Sequence, residues 1–135
     1  MKNKENSRAW LYARIPGNDT RTLECLRDCA AKASADGCEI IGSSTDEVRG
    51  WLLLRPGCRE MQQKIKDGKV DVIYVSRIRQ ISGKERHLFS FFKLVMQHSV
   101  KVCTLEYNLR DRLHEYRLEN RIETYAGHHN LPMPW

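Results

Sequence analysis

Arginine is the residue type in this chain whose spacing could do chemistry. Arg14 follows the apolar run AWLYARI (9–15) and stands just before Pro16-Gly17. Arg55 opens the stretch RPG, behind TDEVRGWLLL. Arg77 and Arg79 follow the apolar run VDVIYV (70–75). In open α/β folds the carboxyl ends of strands are where ligands sit. A guanidinium at such a strand end, as Arg14 is placed, is a site-like group, because its planar fork donates paired hydrogen bonds to phosphate or carboxylate oxygens.

The elements needed to position these groups can be read along the chain. AWLYARI reads as a buried strand ending at Pro-Gly. Asn18 or Asp19 caps a helix with Leu23, Leu26, Ala30 and Ala33 at helical spacing, and Gly37 stops it. CEIIG (38–42) is a second strand. The segment 43–55 breaks the pattern, and WLLL within it reads as a loop tucked under the site. Pro56 opens a helix with Cys58, Met61 and Ile65 on one face and Gly68 as its stop. VDVIYV is β-branched and continuously apolar, which predicts a central parallel strand. Ser82 and Glu85 have the spacing of a capping box. Behind them Leu88, Phe91, Phe92, Val95 and Met96 form a core stripe. VKVCTLE (100–106) is the last strand. Strands alternating with helices predict an α/β fold: a mostly parallel sheet of four or five strands with helices on both faces.

The expected organisation is one domain over 1–106, a helix over 107–127 and a flexible tail over 128–135. The helix carries two apolar sides. Leu109, Leu113 and Tyr116 fall on one, and Leu118, Ile122 and Tyr125 nearly opposite. Either the helix kinks, or its second half packs on another chain. The second reading is preferred and makes Leu118, Ile122 and Tyr125 dimer contacts.

The chain has 135 residues, 23 Lys+Arg against 17 Asp+Glu and a net charge of +6, which permits nucleic-acid contact without requiring it. No apolar stretch is long enough to span a membrane, and the charged start MKNKENSR lacks the apolar core of a signal peptide. A cytoplasmic protein is expected, with its five cysteines as reduced thiols. The cysteines do not make the paired spacing of a zinc site, the histidines read as isolated, and the glycines form no phosphate loop. No metal and no cofactor are expected.

Three stretches, in order and at matching separations, resemble the catalytic domain of serine recombinases of the resolvase/invertase type. YARIP is similar to that family's Y-A-R-V-S. TDEVRGWLLLRPG is similar to its D-x-x-S-G followed by R-P/K-G. DVIYVSRIRQISG is similar to its D-V-I-x-V-x-x-L-D-R-L-S-R. The resemblance covers about residues 9 to 106. It implies DNA strand exchange, in which a serine attacks a phosphodiester and arginines hold the phosphate and its developing charge.

Residue by residue, that implied site is incomplete. Arg14, Arg55, Asp46 and Gly50 keep the pattern. Pro16 stands where the nucleophilic serine belongs, and Arg49 where the loop serine belongs. D-R-L-S-R falls on Arg79, Gln80, Ile81, Ser82 and Gly83, so both of its arginines are missing. Ser43, Ser44, Ser76 and Ser82 are the hydroxyls a displaced nucleophile would need. Their positions suit turns and caps better. The resemblance therefore implies an inactive recombinase-like domain of assembly or regulation. The alternatives are an active recombinase with a displaced serine, and an interaction module without DNA. Arg14 is either a remnant, paired with an acid such as Asp46, or still a phosphate ligand, helped by Arg49, Arg55, Arg77 and Arg79. Expected partners are DNA through its backbone, without sequence reading, and a second copy or an active recombinase.

Overall fold

A computed structural model describes residues 6–47, 55–106 and 108–135. The strands are β1 (Arg8–Ala13), β2 (Glu39–Thr45), β3 (Val72–Val75) and β4 (Lys101–Thr104). The helices are α1 (Asp19–Ala35), α2 (Pro56–Lys66), α3 (Glu85–Gln97), α4 (Leu109–Glu115) and α5 (Glu119–His129), with a single 3-10 turn at Ile78–Gln80. The strand order is β2-β1-β3-β4, and every pairing is parallel. The α/β fold with a parallel sheet and helices on both faces is as expected from the pattern.

Alternation along the strands sorts the core into two layers. Ala9 and Leu11 of β1 and Val72 and Tyr74 of β3 face α1, where Cys29 and Ala33 meet them. Trp10, Tyr12, Ile73 and Val75 face the other way, against α2, α3 and α5. Right-handed crossovers dictate this division. The step from β1 to β2 runs one way and puts α1 on one face. The steps to β3 and β4 run the other way and put α2 and α3 opposite. The chain therefore reverses direction between β1 and β3, and that reversal opens a crevice at their carboxyl ends.

Local signals behave unevenly. The Asn18 side chain caps α1 by accepting from Arg21 N at 3.0 Å. On α1 the buried face is Thr22, Cys25, Cys29 and Ala33, while Leu23 is 58% exposed and lies off it. The stripes of α2 and α3 are buried as their spacing requires. The Ser82–Glu85 capping box is not formed. Ser82 Oγ accepts from Lys84 N at 3.0 Å, and Glu85 pairs with Arg121 of α5 at 2.7 Å. The loop expected around WLLL lies outside the described residues.

The C-terminal region differs from three expectations. The helix over 107–127 is broken: Arg117 takes a left-handed φ of 58° between α4 and α5. That turn swings the second apolar side onto the same core as the first. Leu118 and Ile122 are fully buried there, beside Leu113 and Ala126, so they are intrachain core rather than dimer contacts. Tyr125 packs edge-on against Phe89 and its hydroxyl accepts from Gln97 Nε2 at 2.7 Å. The tail is not loose either. Leu131, Met133 and Trp135 pack on the core, and Val102 N of β4 donates to Pro134 O at 2.6 Å. The Lys101 ammonium donates to Met133 O. Apolar side chains and an open strand edge hold these residues in place.

Candidate anion-binding site

The site grows out of the crevice between β1 and β3. β1 delivers Arg14 at its end, and Arg14 Nε donates to Gln80 O at 3.1 Å. Arg55 stands immediately before α2, and its Nη2 donates to Ile81 O. Two guanidiniums from distant parts of the sequence thus grip consecutive carbonyls of the segment after β3. That segment is itself pinned, because Ile78 N donates to Glu106 Oε2 at 3.0 Å. Arg14 and Arg55 line one cavity of about 510 Å³ together with Gly83, Lys84 and His87.

Arg55 is only 2% exposed, and its Nε and Nη1 have no acceptor among the described residues. A buried cation with unmade hydrogen bonds is costly unless something anionic completes it. Asp46 is not that group by hydrogen bonding. It is 5% exposed and accepts from Tyr12 Oη at 2.7 Å, and from Gly57 N and Cys58 N at 2.8 Å each. Its carboxylate caps α2 and ties β1 to the end of β2. Burial, and then this bond to Asp46, hold the Tyr12 phenol far above its usual range, so it stays a neutral donor. Gly57 is required at the junction: a Cβ there would lie 2.3 Å from Thr45 O.

Pro16 lines a neighbouring cavity of about 620 Å³, with Arg14, Ser76, Arg77, Arg79 and Gly83. Arg77 and Arg79 are exposed beside it. Arg49 and Gly50 lie outside the described residues. Gln80, at one missing-arginine position, is buried and turned toward α1, where Nε2 meets Cys25 Sγ at 3.4 Å. Gly83 holds the other such position, and a Cβ there would meet nothing within 4 Å. Among the serines, Ser44 is buried between Trp10 Nε1 and Gly57 O, at 3.0 and 2.7 Å. Ser82 is held by Lys84 N as described, and Ser43 is exposed on β2. Ser76 alone of the four lines the cavity beside Pro16.

Lys84 and His87 are site residues that the sequence reading missed. They stand three apart, Lys84 immediately before α3 and His87 in its first turn, directly after the motif-like stretch, and that spacing was the available signal. No group of three His, Cys, Asp or Glu that could hold a metal occurs among the described residues. No helix among them is long and apolar enough to cross a membrane.

Arg55→Met separates the charge from the packing. The apolar side chain should leave stability unchanged or slightly raised, since it removes a buried cation two of whose donors are unmet among the described residues. Anion affinity should fall at least tenfold. A thermal melt beside a sulfate titration checks this, and a variant that melts early yet binds normally contradicts it.

A parallel β2-β1-β3-β4 domain with an arginine-lined crevice at its switch point defines the class. The resolvase N-terminal domain family matches residues 9–123, and the chain belongs to that family. No curated protein sequence matches the chain. Among solved structures, the C-terminal catalytic domain of ISC1926 TnpA, an IS607-like serine recombinase, superposes with a TM-score of 0.68 at 18% identity, covering 89% of this chain and 84% of that one. The N-terminal catalytic domain of TP901-1 integrase gives 0.68 at 16%, covering 90% and 97%. A resolvase family site-specific recombinase from Streptococcus pneumoniae gives 0.61 at 19%, covering 90% and 95%. At these identities the likeness is one of fold.

Proposed function

We propose that this domain holds a DNA backbone phosphate without cutting it, and serves recombination as an inactive partner in assembly or regulation. The observation that carries the reading is Arg55, a buried guanidinium with two donors unmet among the described residues, lining a cavity with Arg14; by the resemblance, Pro16 stands where the nucleophilic serine belongs. A phosphate diester supplies the missing acceptors. Proline supplies no hydroxyl, and loss of a nucleophile lowers rates by roughly 10⁴ to 10⁶. The exposed Arg77 and Arg79 extend positive charge along the crevice toward a backbone. The partner in assembly is a second copy or an active recombinase, and the compartment is the cytoplasm. With Leu118 and Ile122 buried in their own domain, the contact uses some other surface.

The test is fluorescence anisotropy with a labelled duplex at two salt concentrations, alongside a nicked suicide substrate that traps covalent adducts. Binding should weaken as salt rises and fall further in an Arg14→Ala, Arg55→Met double variant. The suicide substrate should yield no adduct. An adduct would establish a displaced nucleophile, for which Ser76 is the first variant to make. Binding indifferent to salt and to both arginines would leave an interaction module that does not use DNA.

A further inference from the structure

The cavity holding Arg14 and Arg55 has a second half that the family pattern does not supply. Lys84, immediately before α3, and His87, in its first turn, line it. The start of α3 differs from the start of α2. The Asp46 carboxylate caps α2, whereas α3 has no side-chain cap, Lys84 standing immediately before its first residue. An uncapped helix start presents N–H groups and the positive end of the dipole. Together with the unmet donors of Arg55, this makes a pocket whose polar groups nearly all call for negative charge.

His87 is half-buried in that setting. Among the described residues the charged groups around it are Glu85 and Arg86 on its own helix, Lys84 just before that helix, Arg14 from the end of β1, and Arg55 from the segment before α2. Glu85 is already held by Arg121 of α5. Burial, then Arg86, Lys84 and Arg55, hold the His87 imidazolium below its usual range. These surroundings favour the neutral imidazole. An anion seated among these cations reverses the balance, because it favours the charged imidazole.

We propose that Lys84 and His87 form the outer half of the anion site, and that binding a phosphate-like anion draws one proton from solvent onto His87. The inference rests on the phosphate-holding reading above and adds its regulation: the grip tightens as pH falls. The sign follows from linkage. Where pH lies above the bound-state value, His87 is neutral in both states and contributes nothing. As pH falls between the bound-state and free-state values, binding takes up a proton and affinity rises. No covalent bond forms or breaks.

Sulfate is the probe, since its charge stays constant while imidazole titrates. NMR titration of the five histidines of the full chain, with and without saturating sulfate at fixed ionic strength, reads the proton directly. The His87 midpoint should rise by about one unit, equivalent to about tenfold tighter binding on the acid side. His98, His114, His128 and His129 should stay in place. Lys84→Ala should reduce the rise, and His87→Gln should remove the pH dependence of sulfate affinity. An unmoved His87, equal movement of all five, or unchanged pH dependence in His87→Gln would overturn the proposal. A labelled duplex separates the two readings. Sulfate that moves His87 in a chain that ignores DNA sinks the DNA reading and keeps the site. DNA binding with His87 unmoved by sulfate sinks the proton coupling alone.

Discussion

Asp46→Ala is expected to lower the stability of the domain by about 3 kcal/mol. The carboxylate accepts three hydrogen bonds at a buried position, from the Tyr12 hydroxyl and from the first two free N–H groups of α2. Loss of a helix cap costs about 0.5–2 kcal/mol, and a buried donor left without its partner about 1–3. Water entering the gap recovers part of that sum. In a chain of this size the melting temperature should fall by roughly 10 °C. Asp46→Asn should lie between, because one acceptor oxygen survives and an opposed donor replaces the other. The variant should also lose anion affinity, since Asp46 fixes the start of α2 and hence Arg55. Thermal and urea unfolding measure the first effect. A loss below about 1 kcal/mol would mean that Asp46 is not the joint between β1 and α2.

Ile122→Ala should cost about 2–4 kcal/mol, the usual range for emptying a fully buried aliphatic site. The side chain is 0% exposed, within the core that also takes Leu113, Leu118 and Ala126. The number matters less than its dependence on concentration. An intrachain core residue destabilises equally at every protein concentration. A residue at a dimer seam loses its effect once the chains are dilute enough to be monomers. Unfolding over a hundredfold concentration range, beside sedimentation, distinguishes the two. A cost that vanishes on dilution would restore the partner reading of the tail helix.

These variants mark where the sequence was legible. The parallel sheet with helices on both faces was legible in the continuously apolar runs of β1 and β3 and in the alternation of strands with helices. Both signals are local or nearly universal, so they survive into the fold. The Arg14–Arg55 pair was legible through motif spacing, and the structure brings the two into one cavity. The tail was read less well for a physical reason. Periodicity measures angles about one straight axis, and the left-handed Arg117 breaks that axis. Two apolar sides nearly opposite on a straight helix become one side on a broken one. Ser82 and Glu85 have the letters of a capping box, yet α3 begins at Glu85 itself, so the reciprocal geometry cannot form. His87 looked isolated because its neighbours come from β1 and the start of α2, distant in sequence.

The two margins of the sheet are unlike. Residues 131–135 run beside β4 as a strap, and Pro134 O consumes the outward Val102 N–H. Pro134 and Pro132 carry no N–H with which to extend the ladder further. At the other margin no strand lies beyond β2 among the described residues, and Ile40 and Ile41 are 38% and 36% exposed. Among the described residues one border of the sheet is therefore closed by the chain's own tail, while the other is bordered by half-exposed isoleucines, and an unprotected border of that kind is what proteins usually shield with charge, proline or a covering segment.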